Sequence, residues 1–191
     1  SNNVLSGAIS KSCTLTADRR WRLSGQVSVP AGVTLTIEPG TTVVGTYGMP
    51  VSFLLVDRGG KLVAEGSKER PIVFTSEKAA GERAPGDWGG VVLKGRAHLN
   101  LPGGEGELEG DAGKYGGAAS VDDQDSSGSL RYVRVEFAGR VITTDNELNS
   151  LTFGAVGAGT KVEYVQAHQG LDDAFEFFGG AVNVKHLVAT A

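Results

Sequence analysis

The chain has 191 residues, 40% of them hydrophobic and 21% charged, with a net charge of −4; this suits one folded domain or one elongated solenoid and argues against disorder. It has no Lys/Arg-rich run, the electrostatic footprint of nucleic-acid or anionic-membrane binding, and no stretch reaches the ~18 apolar residues of a membrane span. The 29 glycines require many tight turns, and the single Cys13 can form no internal disulfide, so it reads as a semi-buried residue or as the partner of a segment or protein outside this sequence.

Residues 1–29 alternate polar and apolar positions around Leu15, Trp21, Leu23, Val27 and Val29, which predicts a cap over the first coil of a solenoid. In 29–45, Val33, Leu35 and Ile37 alternate with threonine, Pro39-Gly40 breaks the strand, and Val43-Val44 resume it. SFLLVDRGG, KLVAEGS, RPIVFTS and WGGVVLKGRA continue as short β-rich runs closed by Gly, Ser or charged turns. Only Ser76–Ala84 has a helical option, so the expectation is all-β.

Between Leu99 and Gly128 the rhythm lapses. Glu105, Glu107, Glu109, Asp111, Asp122, Asp123 and Asp125 stand there against one base, Lys114, which predicts a long acidic, Gly-rich loop insertion (99–128) of the functional or mobile kind. After it one phrase is written three times: SLRYVRVEFAG, TKVEYVQAHQG and NVKHLVAT. Tyr132, Tyr164 and His186 fill the same slot, at intervals of 32 and 22 residues. A strand phrase returning after roughly 20–25 residues signals stacked coils, because each copy can bury its apolar face only on the next. Strand alternation then places Val133, Val135 and Phe137 inward, continued by Val165 and Ala167 and by Leu187 and Ala189. The outward columns are Tyr132/Tyr164/His186, Arg134/Gln166/Val188 and Glu136/His168/Thr190. The ten-residue excess of the first interval is assigned to Asn149–Ala158, as a bulge or as strands of its own.

Taken together, SGQVSVPAGVTLTIEPGTTVVG, GGKLVAEGSKERPIVFTSE, GDWGGVVLKGRAHLN, DDQDSSGSLRYVRVEFAG, NELNSLTFGAVGAGTKVEYVQ and LDDAFEFFGGAVNVKHLVAT resemble a bacterial family of secreted or surface β-helix proteins, often labelled hypothetical protein or lipoprotein. The resemblance runs from about Leu15 to Ala191. It implies a right-handed parallel β-helix of the pectate-lyase-like type, a single domain over 1–191 and an extracellular or outer-surface location, but no established activity. Members of that family continue past the equivalent of His186-Leu187-Val188, which implies C-terminal coils missing here or processed away.

Four groups of residues carry candidate chemistry. Asp123-Gln124-Asp125-Ser126-Ser127-Gly128 matches the first half of a calcium loop, with Asp122, Asp123, Asp125 and Ser127 as donors, but Arg134 stands where the bidentate Glu belongs, and Asp-Ser-Gly is also ordinary turn chemistry. Calcium is the one cofactor candidate. Tyr132, Tyr164 and His186 form a candidate sugar-contacting ladder, with coil-to-coil stacking as the plainer role, and Trp88 and Trp21 read as corner or cap packing. A β-helix hydrolase or lyase would draw on Asp172, Asp173, Glu136, His168 and Arg134. The Asn-Thr-Asp, Gly-His-Gly and Arg-x-Lys companions of galacturonan hydrolysis are nevertheless missing. His98, His168 and His186 lack zinc spacing with the lone Cys. The expected function is therefore a non-catalytic structural, adhesive or carbohydrate-contacting scaffold. The expected partners are a polysaccharide or cell-surface component, further copies of the chain, or its missing C-terminal part. A β-helix polysaccharide lyase or hydrolase and a self-assembling filament or surface-layer subunit are the alternatives.

Overall fold

A computed structural model describes residues 3–110, 112–144 and 146–191; Asp111 of the acidic segment lies outside the described residues. The chain starts with β1 (Val4–Ala8), β2 (Cys13–Leu15) and the long β3 (Arg20–Val29). A second coil follows as β4 (Thr34–Ile37), β5 (Thr42–Gly45) and β6 (Phe53–Val56), and a third as β7 (Lys61–Glu65), β8 (Ile72–Ser76) and β9 (Gly90–Lys94). The small strands β10 (Gly106–Leu108) and β11 (Gly113–Tyr115) form an antiparallel hairpin outside the coils. The fourth coil is β12 (Gly128–Glu136), a second hairpin of β13 (Val141–Thr143) and β14 (Asn146–Glu147), and β15 (Leu151–Gly154). The fifth is β16 (Lys161–His168) and β17 (Phe175–Phe178), and β18 (Asn183–Thr190) begins another turn.

Parallel pairing arranges these strands on three faces of a right-handed parallel β-helix. The first face stacks β2, β4, β7 and the opening halves of β12, β16 and β18. The second stacks the start of β3, then β5, β8 and the closing halves of β12, β16 and β18. The third stacks the end of β3 with β6, β9, β15 and β17. The cap expected over 1–29 is already in coil register: β1 lies along β3, with Val4 opposite Arg22, and β2 pairs with β4. The 77–88 segment forms bends and turns.

Each face sends alternate side chains inward, in columns that run from coil to coil. Leu15, Ile37, Ala64, Leu130 and Val162 form one buried column, and Val29, Val56, Leu93 and Phe153 another. Each fully buried side chain of this size contributes about 1.5–3 kcal/mol, and stacking on the next coil is what excludes the water. Val133, Val135, Val165 and Ala167 are buried as the alternation requires. Phe137 is not: its φ of +58° turns the corner after β12, and its half-buried ring meets His168 edge-on at 5.7 Å. Ala138 occupies the core instead.

Two further expectations change. The extra residues of the fourth coil sit mainly between β12 and β15, as the β13–β14 hairpin, while most of the span assigned to them, Asn149–Ala158, is β15 and the corner that follows it. The acidic insertion is folded: Leu108, Ala112 and Tyr115 of the β10–β11 hairpin pack with Phe53, Leu55, Val92 and Leu148 into a second apolar cluster outside the third face. Its charge is partly neutralised by Arg58, 2.6 Å from Glu105, and by Lys114, 3.3 Å from the same carboxylate. Cys13 is free, half-buried and packed against the main core. Among the described residues no helix is long and apolar enough to cross a membrane.

Candidate functional site

The aromatic slot marks a corner. Tyr132, Tyr164 and His186 have φ values of +49°, +56° and +55°, a left-handed conformation that bulky residues rarely adopt. Each turns the chain from the first face to the second, which is why Leu130 and Val133, three residues apart, both reach the core. The rings stack along the axis with centroids 4.6 and 4.4 Å apart and planes within 4° and 12° of parallel. Arg131 lies over the two tyrosines, 5.2 and 5.9 Å from their centroids. The inner faces of the ladder are therefore covered ring by ring, and the exposed edges wall a groove of about 540 Å³. Lys68, Pro71, Arg134, Gln166 and Val188 are also part of its lining.

The residues of the catalytic alternative are split between two faces. Glu136 is buried, with Arg134 Nη2 2.8 Å from Oε1 and Arg83 Nη1 3.8 Å from Oε2. Two guanidinium groups thus engage its carboxylate. His168 directs Nδ1 to Thr190 Oγ1 at 2.8 Å. Asp172 and Asp173 lie past the next corner, where Asp172 Oδ1 accepts the Asp173 amide at 2.7 Å and both carboxylates act on Glu176 of the third face. The sequence neighbourhood that joined them to the Glu136/His168 column does not become a constellation.

The calcium half-loop is likewise engaged by protein donors. Asp122 Oδ1 accepts the Gln124 amide at 2.9 Å, and Asp125 Oδ2 the Arg96 amide at 2.9 Å. Asp123 Oδ1 accepts both the His98 amide, at 2.9 Å, and a contact with His98 Nδ1 at 2.7 Å. These bonds, the backbone one first, hold the Asp123 carboxyl below its usual range. Ser127 is buried and donates to the Lys94 carbonyl at 3.2 Å. Among the described residues no group of three or more His, Cys, Asp and Glu side chains is placed to ligate a metal. The melting temperature is accordingly expected to be the same in excess chelator and in millimolar calcium; a rise with calcium would mean that these carboxylates exchange their amides for the ion.

The family model described as a pectate-lyase like beta helix domain matches residues 7–191. The chain belongs to that family. No curated protein and no solved structure matches it. The match runs from within β1 to the end of β18 in this pectate-lyase-like domain. The roles of particular residues rest on their geometry.

One group in this β-helix domain escaped the sequence reading. On the third face Thr152 pairs with Glu176, and Asn149 Nδ2 donates to Glu176 Oε2. Glu109 from the β10–β11 turn and Glu147 from β14 close over them around a cavity of about 10 Å³, near the size of one water molecule. Burial, then the carboxylates of Glu109, Asp173, Asp172 and Glu147, push the Glu176 carboxyl up to about 7. A carboxyl that stays protonated near neutral pH can donate as well as accept a hydrogen bond, and it lies beneath both inserted hairpins. Nothing in the local sequence FEFF marks it, because its neighbours arrive from three separate insertions and corners.

Proposed function

We propose that the chain is a non-catalytic β-helix scaffold of the cell surface or extracellular space whose second-face groove contacts carbohydrate. The observation that carries the reading is the groove beside the Tyr132–Tyr164–His186 ladder. Its wall combines aromatic edges and Val188 with the donors of Arg134, Gln166 and Lys68, the mixture of apolar surface and fixed polar groups that a sugar ring requires. The rings stack on one another while their edges stay open to solvent, which leaves those edges free for a ligand. Binding rather than turnover is favoured because Glu136 is held by two arginines and the Asp172-Asp173 pair acts on Glu176 of the third face.

The test is a glycan panel read both for binding and for release of reducing or unsaturated ends. Tyr164→Ala is expected to weaken binding by roughly tenfold, the order seen when a central aromatic anchor is removed, and no end release is expected from the native chain. Binding unchanged in Tyr164→Ala would eliminate this groove, and steady product release would replace the scaffold reading with the lyase or hydrolase one.

A further inference from the structure

The ladder groove continues into a second groove on the same face. One outward column runs Arg20, Thr42, Val73, Arg134, Gln166 and Val188 in register across six strands, a strip about 24 Å long at about 4.8 Å per step. Its Val188 end borders the ladder. At its Arg20 end lies an open groove of about 470 Å³, lined by Arg19, Arg20, Arg83, Thr42, Thr75 and, opposing them, Asp18.

Two independent features set this end apart. The first is charge. Arg19 makes a two-point pair with Asp18, Nε to Oδ1 at 3.1 Å and Nη2 to Oδ2 at 2.7 Å, and this bond holds the Asp18 carboxyl well below its usual range. That pair is neutral as a unit. Arg20, together with Arg83, which shares the single Glu136 carboxylate with Arg134, then leaves the groove positive on a chain of net charge −4. Both keep donors in hand: Arg20 makes one long bond to the Ser76 carbonyl at 3.4 Å, and Arg83 gives Nε to the Lys78 carbonyl at 3.1 Å while its Nη1 stands 3.8 Å from Glu136 Oε2, an ion pair beyond hydrogen-bond distance. A guanidinium carries five N–H groups, so several remain for a ligand. The second feature is Thr75. It is 1% exposed, lines the groove, and its Oγ1 has no hydrogen-bond partner among the described residues. Leaving such a hydroxyl unmatched is costly, and an incoming acceptor would satisfy it.

We infer that this end of the second face is an oxyanion subsite, taking a carboxylate, sulfate or phosphate group borne by the glycan that contacts the neighbouring ladder. The inference rests on the carbohydrate reading for the source of the anion, but the anion chemistry is separate from it. Arginine forks match planar and tetrahedral oxyanions at two points, and the Thr75 hydroxyl adds a third donor. With both grooves on one column, a single acidic chain lying along the strip meets the cations at one end and the aromatic edges at the other.

The experiment titrates the chain with sodium sulfate, phosphate and acetate by NMR, then with a uronate oligosaccharide, a sulfated one and a neutral one. Saturable shifts at Arg20 and Thr75 are expected with the free anions, together with binding of the acidic sugars that falls steeply with added salt. Arg20→Gln is expected to weaken both by roughly tenfold, and the near-isosteric Thr75→Val by roughly fivefold. Among the described residues the Arg20 side chain makes one hydrogen bond, to the Ser76 carbonyl, so the fold of Arg20→Gln is expected to be retained, which circular dichroism checks. Tyr164→Ala should weaken the sugars while leaving free sulfate unaffected. No saturable response to any anion, or an unchanged response in an Arg20→Gln/Arg83→Gln double variant, overturns the subsite. Sulfate binding without binding of any sugar keeps the subsite for free anions and removes the carbohydrate reading instead.

Discussion

Replacing Trp88 by alanine is expected to destabilise the fold by about 3–5 kcal/mol, the range for truncating a large buried aromatic. Trp88 is 1% exposed, and its Nε1 donates to the Glu136 carbonyl at 2.8 Å. The ring also lies against Gly45, where an added Cβ would stand 2.6 Å from Trp88 Cβ and 2.7 Å from Cδ2. The ring therefore fills room that exists only because Gly45 has no side chain. It bridges β5 of the second coil and β12 of the fourth, on either side of the segment 77–87 that leaves the coil path. That segment is anchored by Asp87, which accepts from Ser76 Oγ at 2.7 Å and the Ala84 amide at 3.0 Å and also holds Lys78. Truncation leaves a large cavity and an unpaired carbonyl together. Urea unfolding measures the loss, and a thermal scan should show a fall of about 6–20 °C. Trp88→Phe keeps most of the volume and loses chiefly the hydrogen bond, so about 1 kcal/mol is expected of it. If the alanine variant also lost only about 1 kcal/mol, the bridging role would be wrong. Gly45→Ala should destabilise from the other side of the same contact.

The repeated phrase made the architecture readable because the information was local and periodic. Val133, Val165 and Leu187, and Val135, Ala167 and Ala189, share columns in the sequence and share them in space. The aromatic slot was readable as a column but not as a corner. A positive φ at Tyr132 is a backbone choice enforced by the coils above and below, and no property of the tyrosine side chain announces it. Phe137 failed for the same reason: alternation extends a strand past its end, whereas the corner begins one residue after Glu136. The corner also carried Asp172 and Asp173 to the Glu176 side. The Gly-rich insertion looked like loop because its apolar residues, Leu108, Ala112 and Tyr115, are few and spaced by acids. They become a cluster only when Leu55 and Val92 of the third face supply the other half. The oxyanion end of the second face was hidden similarly, since Arg20, Thr75 and Arg83 are 55 and 8 residues apart and meet only through the stacking of β3 and β8 on β5.

Glu176→Gln is expected to stabilise the protein by about 1–2 kcal/mol at pH 8 and to do almost nothing at pH 4. The carboxyl is pushed up to about 7 from an ordinary 4.5, by burial first and then by Glu109, Asp173, Asp172 and Glu147. Between those two values the unfolded chain has released this proton while the folded chain still holds it. The folded state then binds more protons, so stability contributed by this group falls as pH rises through about 4.5 to 7 and is level outside that window. The full shift would correspond to somewhat over 3 kcal/mol, and partial solvent screening of the site brings the expectation down to about 1–2. Glutamine keeps an oxygen to accept from Asn149 Nδ2 and removes the charge that four neighbouring carboxylates oppose. Unfolding curves of both proteins across pH 4–8 decide the matter. The native chain should lose stability through the window and the variant should lose less, with the difference growing toward pH 8. An equal gain at pH 4 and pH 8 would assign the effect to packing and refute the protonated carboxyl. Because the third-face hairpins close over this group, the loosening expected at alkaline pH should appear first at Leu108 and Tyr115, as faster amide exchange in β10 and β11 than in the coils beneath them.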